Sequence, residues 1–339
     1  MKRGVTIQDL ANSLGMSRNT VSKALNGQHV PLKTRNAVIS AAIEMGYKGY
    51  KLASVSDNAS LLQKRILILS SRLLMSINYY MFVLRGIEEA LTDYNFELVQ
   101  FNITSASTFS KLKRYLENNR VDGIICIEFF NQDYIRELAE LGIPIVFLDF
   151  PANLRPLKGH YDIILPESQE AVKLFCMDML RENTCKTFGF VGDYTHCRSF
   201  QERFLGMMLA VGGAQAKATL DFSIMHDDSA GYSPSSLQQI LQEMSELPDC
   251  FIAANDSIAV NLLAALKACK KHVPKDIKVI GFDNSPEAKM SVPTLTTFNV
   301  NKTVLGRQII SILMDRIKNP TQANMIIHIS SKLVVRGST

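Results

Sequence analysis

From residue 65 onward the 339-residue chain alternates short, continuous apolar runs with amphipathic segments long enough for helices, and no other feature limits its fold as strongly. The runs are RILILSS (65–71), FELVQF (96–101), DGIICI (122–127) and PIVFLD (144–149). A second set follows as YDIIL (161–165), TFGFVG (187–192), DFSIM (221–225), CFIAA (250–254) and IKVIGF (277–282). A strand that is apolar on both faces must be covered on both, so these runs predict parallel sheets flanked by helices. The break near Pro151–Gly159 predicts two Rossmann-like lobes.

The first 60 residues follow another pattern. Residues 6–14, TIQDLANSL, set Ile7, Leu10, Ala11 and Leu14 on one helical stripe. Thr6 stands at the N-cap with Asp9 three residues on, a capping-box spacing, and Gly15 ends the helix. A second helix over 18–25, capped by Ser17, turns Val21, Ala24 and Leu25 inward. A third over 33–45 buries Ala37, Val38, Ala41 and Ala42 and ends at Gly46. This is a helix-turn-helix pattern. Outward on the second helix lie Arg18, Asn19, Ser22 and Lys23, with no acid among them, a donor set matched to base edges and phosphates. An ordinary three-helix cap with a basic surface would require no such set.

Charge sharpens the division. Residues 1–60 hold eight Lys and Arg against Asp9, Glu44 and Asp57, whereas residues 61–339 hold 29 of each sign, so the net charge of +5 lies entirely in the head. A polyanion partner is therefore expected for the head alone. With 47% hydrophobic and 20% charged residues the chain can bury a large core. No apolar run reaches the ~20 residues needed to span a bilayer, and residues 1–30 lack a signal-peptide pattern, so a cytoplasmic address without membrane partners is expected.

Catalytic signatures are missing: no GxGxxG follows a strand, and there is no Walker A sequence, GxSxG elbow or HExxH. The six histidines are dispersed, and the six cysteines include no CxxC pair and read as scattered, reduced thiols. Cys185, His196 and Cys197 match no zinc spacing. No enzyme activity, cofactor or metal is expected. A small-molecule binder is different, because it needs polar groups at the carboxyl ends of strands. Asp149 ends PIVFLD, Asn255-Asp256 ends CFIAAND, Asp283-Asn284 ends VIGFDN, and Arg203 follows TFGFVG across a loop. Carboxylates, amides and a guanidinium fork fit a polyhydroxylated ligand. The competing structural role is helix capping, which Asp256 in particular could fill before SIAVNLLAALKA.

The segment TIQDLANSLGMSRNTVSKALNG, followed by VPLKTRNAVISAAIEMGY, resembles the head of the lactose-repressor (LacI/GalR) family of bacterial transcription regulators, and the resemblance extends over nearly the whole chain. It implies an α/β fold: a small three-helix helix-turn-helix domain ahead of a two-lobed, periplasmic-binding-protein-like (type I) body of parallel sheets. The divisions it implies are a DNA-binding domain at 1–47 and a hinge at 48–64. A first lobe takes 65–158 and 292–319, and a second takes 159–291 and 320–339, with the chain crossing three times between lobes.

By position, the resemblance puts base reading on Arg18, Asn19 and Lys23 and backbone positioning on Thr6, Ser17, Thr20, Ser22, Asn26, His29 and Thr34. His29 is equally readable as a solvent-exposed loop residue. RFLGM resembles the family's Arg-x-x-Gly-aromatic motif and carries effector contact onto Arg203; AAND carries it onto Asn255 and GFDN onto Asp283, while Asp149 fits the family's strand end. Tyr79 and Tyr80 occupy the family's Asn-Pro-aromatic position, where the Pro is missing; they could stack on a ligand or pack the start of a helix. Pro166-Glu167 stands where the family has an Asp, and Thr184-Cys185 replaces its Gly-His. The family's hinge helix wedges a Leu into the minor groove. Here Ser56 holds that place, leaving Leu52 or Val55 as wedge, or a hinge that stays disordered.

These expectations describe a regulator of double-stranded operator DNA that works as a dimer or as a tetramer, most simply a repressor. Its effector would be a carbohydrate-like small molecule bound in the cleft. A corepressor reading (nucleobase or protein partner) and a solute-binding receptor without gene regulation are the alternatives.

Overall fold

The computed structural model describes residues 5–25, 30–31, 34, 37–38, 41–42, 45, 64–72, 74, 78–212, 217–218, 223–225 and 229–339. In the head, α1 (Ile7–Leu14) and α2 (Arg18–Leu25) form as the sequence predicts. The capping box is complete: Thr6 Oγ1 accepts from Asp9 N at 3.3 Å, and Asp9 Oδ2 accepts from Thr6 N at 2.8 Å. Gly15 closes α1 at φ 62°, a conformation that costs glycine little. Ser17 Oγ accepts from Thr20 N at 3.1 Å at the start of α2. Leu10, Ala11, Val21 and Ala24 share one core with Val38, Ala41 and Ala42, and the described residues at 34–42 are helical. Asn26, His29, Leu52 and Val55 lie outside the described residues.

The body elements are β1 (Lys64–Ser70), α3 (Asn78–Leu91), β2 (Phe96–Asn102), α4 (Ala106–Asn118), β3 (Gly123–Ile127), α5 (Gln132–Ala139), β4 (Ile145–Leu148) and β5 (Tyr161–Pro166). There follow α6 (Gln169–Arg181), β6 (Thr187–Val191), α7 (Arg198–Gly212), β7 (Lys217–Ala218), α8 (Pro234–Glu243), β8 (Cys250–Ala253) and α9 (Asp256–Ala268). The last are β9 (Lys278–Phe282), α10 (Pro286–Met290), β10 (Thr296–Asn299), α11 (Lys302–Lys318), β11 (Ile326–Ile329) and β12 (Lys332–Val334). Among the described residues two six-stranded sheets result, ordered β11-β5-β4-β3-β1-β2 and β12-β10-β9-β8-β6-β7. Among the strand pairs described one by one, all are parallel except β10 with β12.

Sheet membership departs from the expected boundaries. Tyr161–Pro166 pairs with β4, Ile145 opposite Tyr161, so β5 belongs to the first sheet and not to the second. Thr296–Asn299 pairs with β9 and joins the second sheet, although 292–319 was expected to return to the first lobe; only α11, which packs against α3, does so. Ile326–Ile329 then pairs with β5 in the first sheet, inside a segment expected wholly in the second. The three passages between sheets therefore follow β5, β10 and β11. An all-buried run such as YDIILP satisfies either sheet, and only the free edge of β4 decides which. DFSIM is likewise not a strand in its described part: Ile224 makes a single bridge to Val191, and the outer strand is the two-residue β7.

Two close approaches fix the helices. A Cβ on Gly86 would lie 2.2 Å from the Thr303 carbonyl oxygen, and one on Gly306 would lie 2.1 Å from that of Val83, so α3 and α11 meet backbone to backbone. Beneath α11, Arg316 and Asp162 form a fully buried pair: Nε donates to Oδ2 at 2.9 Å, and Nη1 and Nη2 also reach the carbonyls of Gln322 and Ala323.

Candidate effector site

The carboxyl ends of the strands open on a cleft of about 630 Å³ lined from both sheets. Three of its acids directly follow strands: Glu128 after β3, Asp149 after β4 and Asp283 after β9. All three adopt positive φ, at 52°, 66° and 115°. A non-glycine residue held there costs on the order of 1–3 kcal/mol, strain that concentrates at binding sites. All three residues line the opening.

Arg203, on α7, is buried against the second sheet. Its Nη1 donates to the Ala254 carbonyl, and its guanidinium carbon lies 3.7 Å from the Phe282 ring centroid. Nε has no hydrogen-bond partner among the described residues. Burial drives the Asp283 carboxyl up to about 7 against the pull of the neighbouring Arg203 charge. Its own carbonyl accepts from Lys302 Nζ, whose ammonium also stands 5.4 Å from the Tyr79 ring centroid. Burial lowers the Lys302 ammonium from its ordinary range. Across the cleft Tyr79 and Tyr80 meet edge to face at 4.9 Å, and the Tyr80 hydroxyl donates to Glu128 Oε1. Burial first, then the Asp283 charge, pushes the Tyr79 phenol upward, so it stays a neutral donor. Tyr79, Tyr80, Asp149, Arg203, Asn255 and Asp283 thus all line one cavity.

Their roles differ. Asn255, not Asp256, is the N-cap of α9, its Oδ1 accepting from Ile258 N at 2.9 Å. Asp256 instead turns inward to accept from Thr297 Oγ1 at 2.6 Å and Ser285 N at 2.7 Å, and burial raises its carboxyl to about 6. Gly281 makes room for it, since a Cβ there would lie 2.2 Å from Asp256 Oδ1. Asp149 Oδ1 is occupied by Phe150 N at 2.7 Å and Ser199 N at 3.3 Å, so this carboxylate joins the β4 loop to the first turn of α7. Glu167 caps α6, accepting from Glu170 N at 2.7 Å and Ala171 N at 3.1 Å. The sequence reading missed Glu128, although the strand-end rule that selects Asp149 selects it too. It also missed Tyr232 and Phe200, which enter from a short 3₁₀ turn and a helix face and carry no local signal.

Two sheets whose strand ends converge on one polar cleft have counterparts among known proteins. Residues 64–172 match the model for periplasmic binding proteins and the sugar binding domain of the LacI family, and residues 177–339 match the periplasmic binding protein-like domain. Over 342 residues the chain is 27% identical to the transcriptional repressor PurR of Pasteurella multocida, covering 98% of each. The chain belongs to the LacI family. Its curated relatives are transcriptional regulators and not enzymes. A CelR–cellobiose complex superposes with TM-score 0.71 at 23% identity, over 99% of this chain and 100% of that one. The lac repressor dimer bound to operator and the anti-inducer ONPF gives 0.68 at 22% identity, over 99% of each. No described helix is long and apolar enough to cross a membrane, and the described residues form no cluster that could hold a metal ion.

Proposed function

We propose that this LacI-family chain is a repressor that binds a near-palindromic operator as a dimer and responds to a neutral, polyhydroxylated effector, a sugar or sugar derivative, in the cleft. One observation carries the effector class: six carboxyl groups line the cavity against two guanidinium groups, and only Asp256 and Asp283 among the six are raised toward neutrality by burial. That balance repels phosphate and leaves acceptors for several hydroxyl protons, with Arg203 as the donor fork and Tyr79 as a stacking face. The CelR complex holds cellobiose in the same fold, which agrees with this class. The nucleobase corepressor is the weaker reading, since so many carboxylates outnumber the donors a purine edge presents. A solute receptor has no use for the donor face of α2, where Arg18, Asn19 and Lys23 are free of acids.

In the head, Arg18 is placed for guanine, Asn19 for adenine and Lys23 for guanine or phosphate, with Thr6, Ser17, Thr20, Ser22 and Thr34 holding register. Paired heads fit half-sites one helical turn, or a multiple, apart. The effector changes DNA affinity only by its differential affinity for the two states of the body. A thermal-shift screen of neutral sugars, sugar phosphates and purines tests the site, because a ligand of the native state raises Tm. A neutral sugar should score, and Arg203→Ala should abolish its shift. Operator selection with and without that sugar then tests regulation. A protein with no salt-dependent preference for a palindrome over random duplex would overturn the regulator reading.

A further inference from the structure

Past β9 the chain turns through Asp283 and Asn284 at φ 115° and 50°, two adjacent left-handed residues, neither of them glycine. Such a pair costs conformational energy and persists only where its surroundings hold it. Backbone bonds account for part of the hold. Asp283 N donates to the Phe298 carbonyl at 2.9 Å, Asn284 N to Thr297 Oγ1 at 3.2 Å and Ser285 N to Asp256 Oδ2 at 2.7 Å. The Asn284 side chain adds the rest: its Nδ2 donates to Asn299 Oδ1 at 3.1 Å, at the end of β10, and its Oδ1 accepts from Arg336 Nη2. Arg336, two residues past β12, is itself anchored to the sheet. Its N–H donates to Thr296 Oγ1 at 2.8 Å, and the buried Ser338 hydroxyl accepts from Thr296 N at 2.8 Å and donates to the Val279 carbonyl at 2.6 Å. Arg336 Nη1 donates to the Leu295 carbonyl at 2.7 Å. One arm of the guanidinium fork is therefore tied to the start of β10 while the other grips Asn284, and the rigid plane between them keeps the two from moving separately. Asp283 lines the cleft and Arg336 does not. The leading charges on the Asp283 carboxyl belong to Arg203, Asp256, Lys302 and Glu128, so Arg336 reaches it through the backbone and not through its own charge.

We propose, on the reading of the cleft as the effector site, that Arg336 is a positioning residue for it: by clamping Asn284 it locks the 283–284 turn and so fixes how Asp283 meets a ligand. A change of φ at Asn284 rotates the 283–284 peptide, so release of the Asn284 side chain swings Asp283 from its place near Arg203 toward water. Glycine enters the left-handed region without strain and needs no clamp. In an Asn284→Gly background the effect of losing Arg336 should therefore vanish. That signature separates positioning from general support of the fold, which Asn284→Gly does not restore.

Full-length wild type, Arg336→Met, Arg336→Lys, Asn284→Gly and the Arg336→Met/Asn284→Gly double variant are titrated by calorimetry with glucose, galactose, ribose and cellobiose. For a sugar that binds wild type, Arg336→Met should raise Kd by roughly 5- to 30-fold, the release of one strained residue. Arg336→Lys, with a single arm, should raise it less. The double variant should stay within about 2-fold of Asn284→Gly alone, a coupling that a double-mutant cycle isolates. The same proteins without ligand are unfolded in urea at pH 4.5 and 8. Arg336→Met should shrink the wild-type fall in stability between these pH values by about a third or more, because a rehydrated Asp283 ionises without opposing folding. If none of the four sugars binds wild type, the carbohydrate reading fails, and the unfolding comparison alone decides the role of Arg336. If Arg336→Met does not fold, Arg336→Lys takes its place in both measurements. An unchanged Kd, an unchanged fall in stability with pH, or an equal loss of affinity in the wild-type and Asn284→Gly backgrounds would each overturn the positioning role.

Discussion

Asp283→Asn should make the body more stable at alkaline pH while removing an acceptor from the cleft. Burial raises the Asp283 carboxyl from 3.8 to about 7. Because the folded value exceeds the unfolded one, the folded state keeps a proton that the unfolded chain releases. Stability from this group is complete below about pH 4 and is lost as pH rises through 7. At about 1.4 kcal/mol per unit, three units bound the loss near 4 kcal/mol above pH 8. The residue keeps some solvent contact and the Arg203 charge nearby, so about 2 kcal/mol is expected. Asparagine preserves the shape and does not ionise. The variant should exceed wild type by only ~0.5 kcal/mol near pH 4.5 and by ~2 kcal/mol at pH 8. Removing the Asp283 charge also eases ionisation of Asp256, which adds in the same direction. Urea unfolding at pH 4.5, 6.5 and 8 measures this, with m unchanged between the two proteins. A stability difference that is constant with pH would refute the placement of Asp283 as a carboxyl ionised at the expense of folding.

Three further outcomes follow from packing. Gly306→Ala gains about 1 kcal/mol of helix propensity but drives a methyl into the Val83 carbonyl, so a net loss of about 2 kcal/mol should appear as a lower Tm; an unchanged Tm would mean that α3 and α11 are farther apart than described. Arg316→Met leaves Asp162 buried without its cation and should cost about 3–5 kcal/mol in chemical denaturation, whereas replacing both partners with apolar residues should recover much of the loss. For DNA, Arg18→Ala should cost about 1–3 kcal/mol on a selected operator and little on random duplex in fluorescence anisotropy; equal losses on both would reassign Arg18 to phosphate.

Local signals in the sequence were reliable where the physics is local. The Thr6–Asp9 box, the Gly15 stop and the apolar stripe of α1 depend on neighbours within a few residues, and all appear as read. The strand-end rule likewise found Asp149, Asn255 and Asp283, because the carboxyl end of a parallel strand is defined by the strand itself. It could not separate groups open to the cleft from scaffolding. Asn255 and Asp256 are adjacent and chemically alike, yet one caps a helix and the other is locked beneath Gly281 by Thr297 and Ser285, contacts that come from distant strands.

The amino-acid order by itself determined the class of the protein: a basic head of short helices, a neutral body of alternating strands and helices, and no catalytic motif. Those properties are written in periodicity and charge. Only the tertiary structure decided which sheet received β5, β10 and β11, because an apolar strand fits any free parallel edge of matching length. It alone decided that three strand-end acids share a strained conformation. Such groups come together through strand pairing between distant segments, which a one-dimensional pattern does not encode.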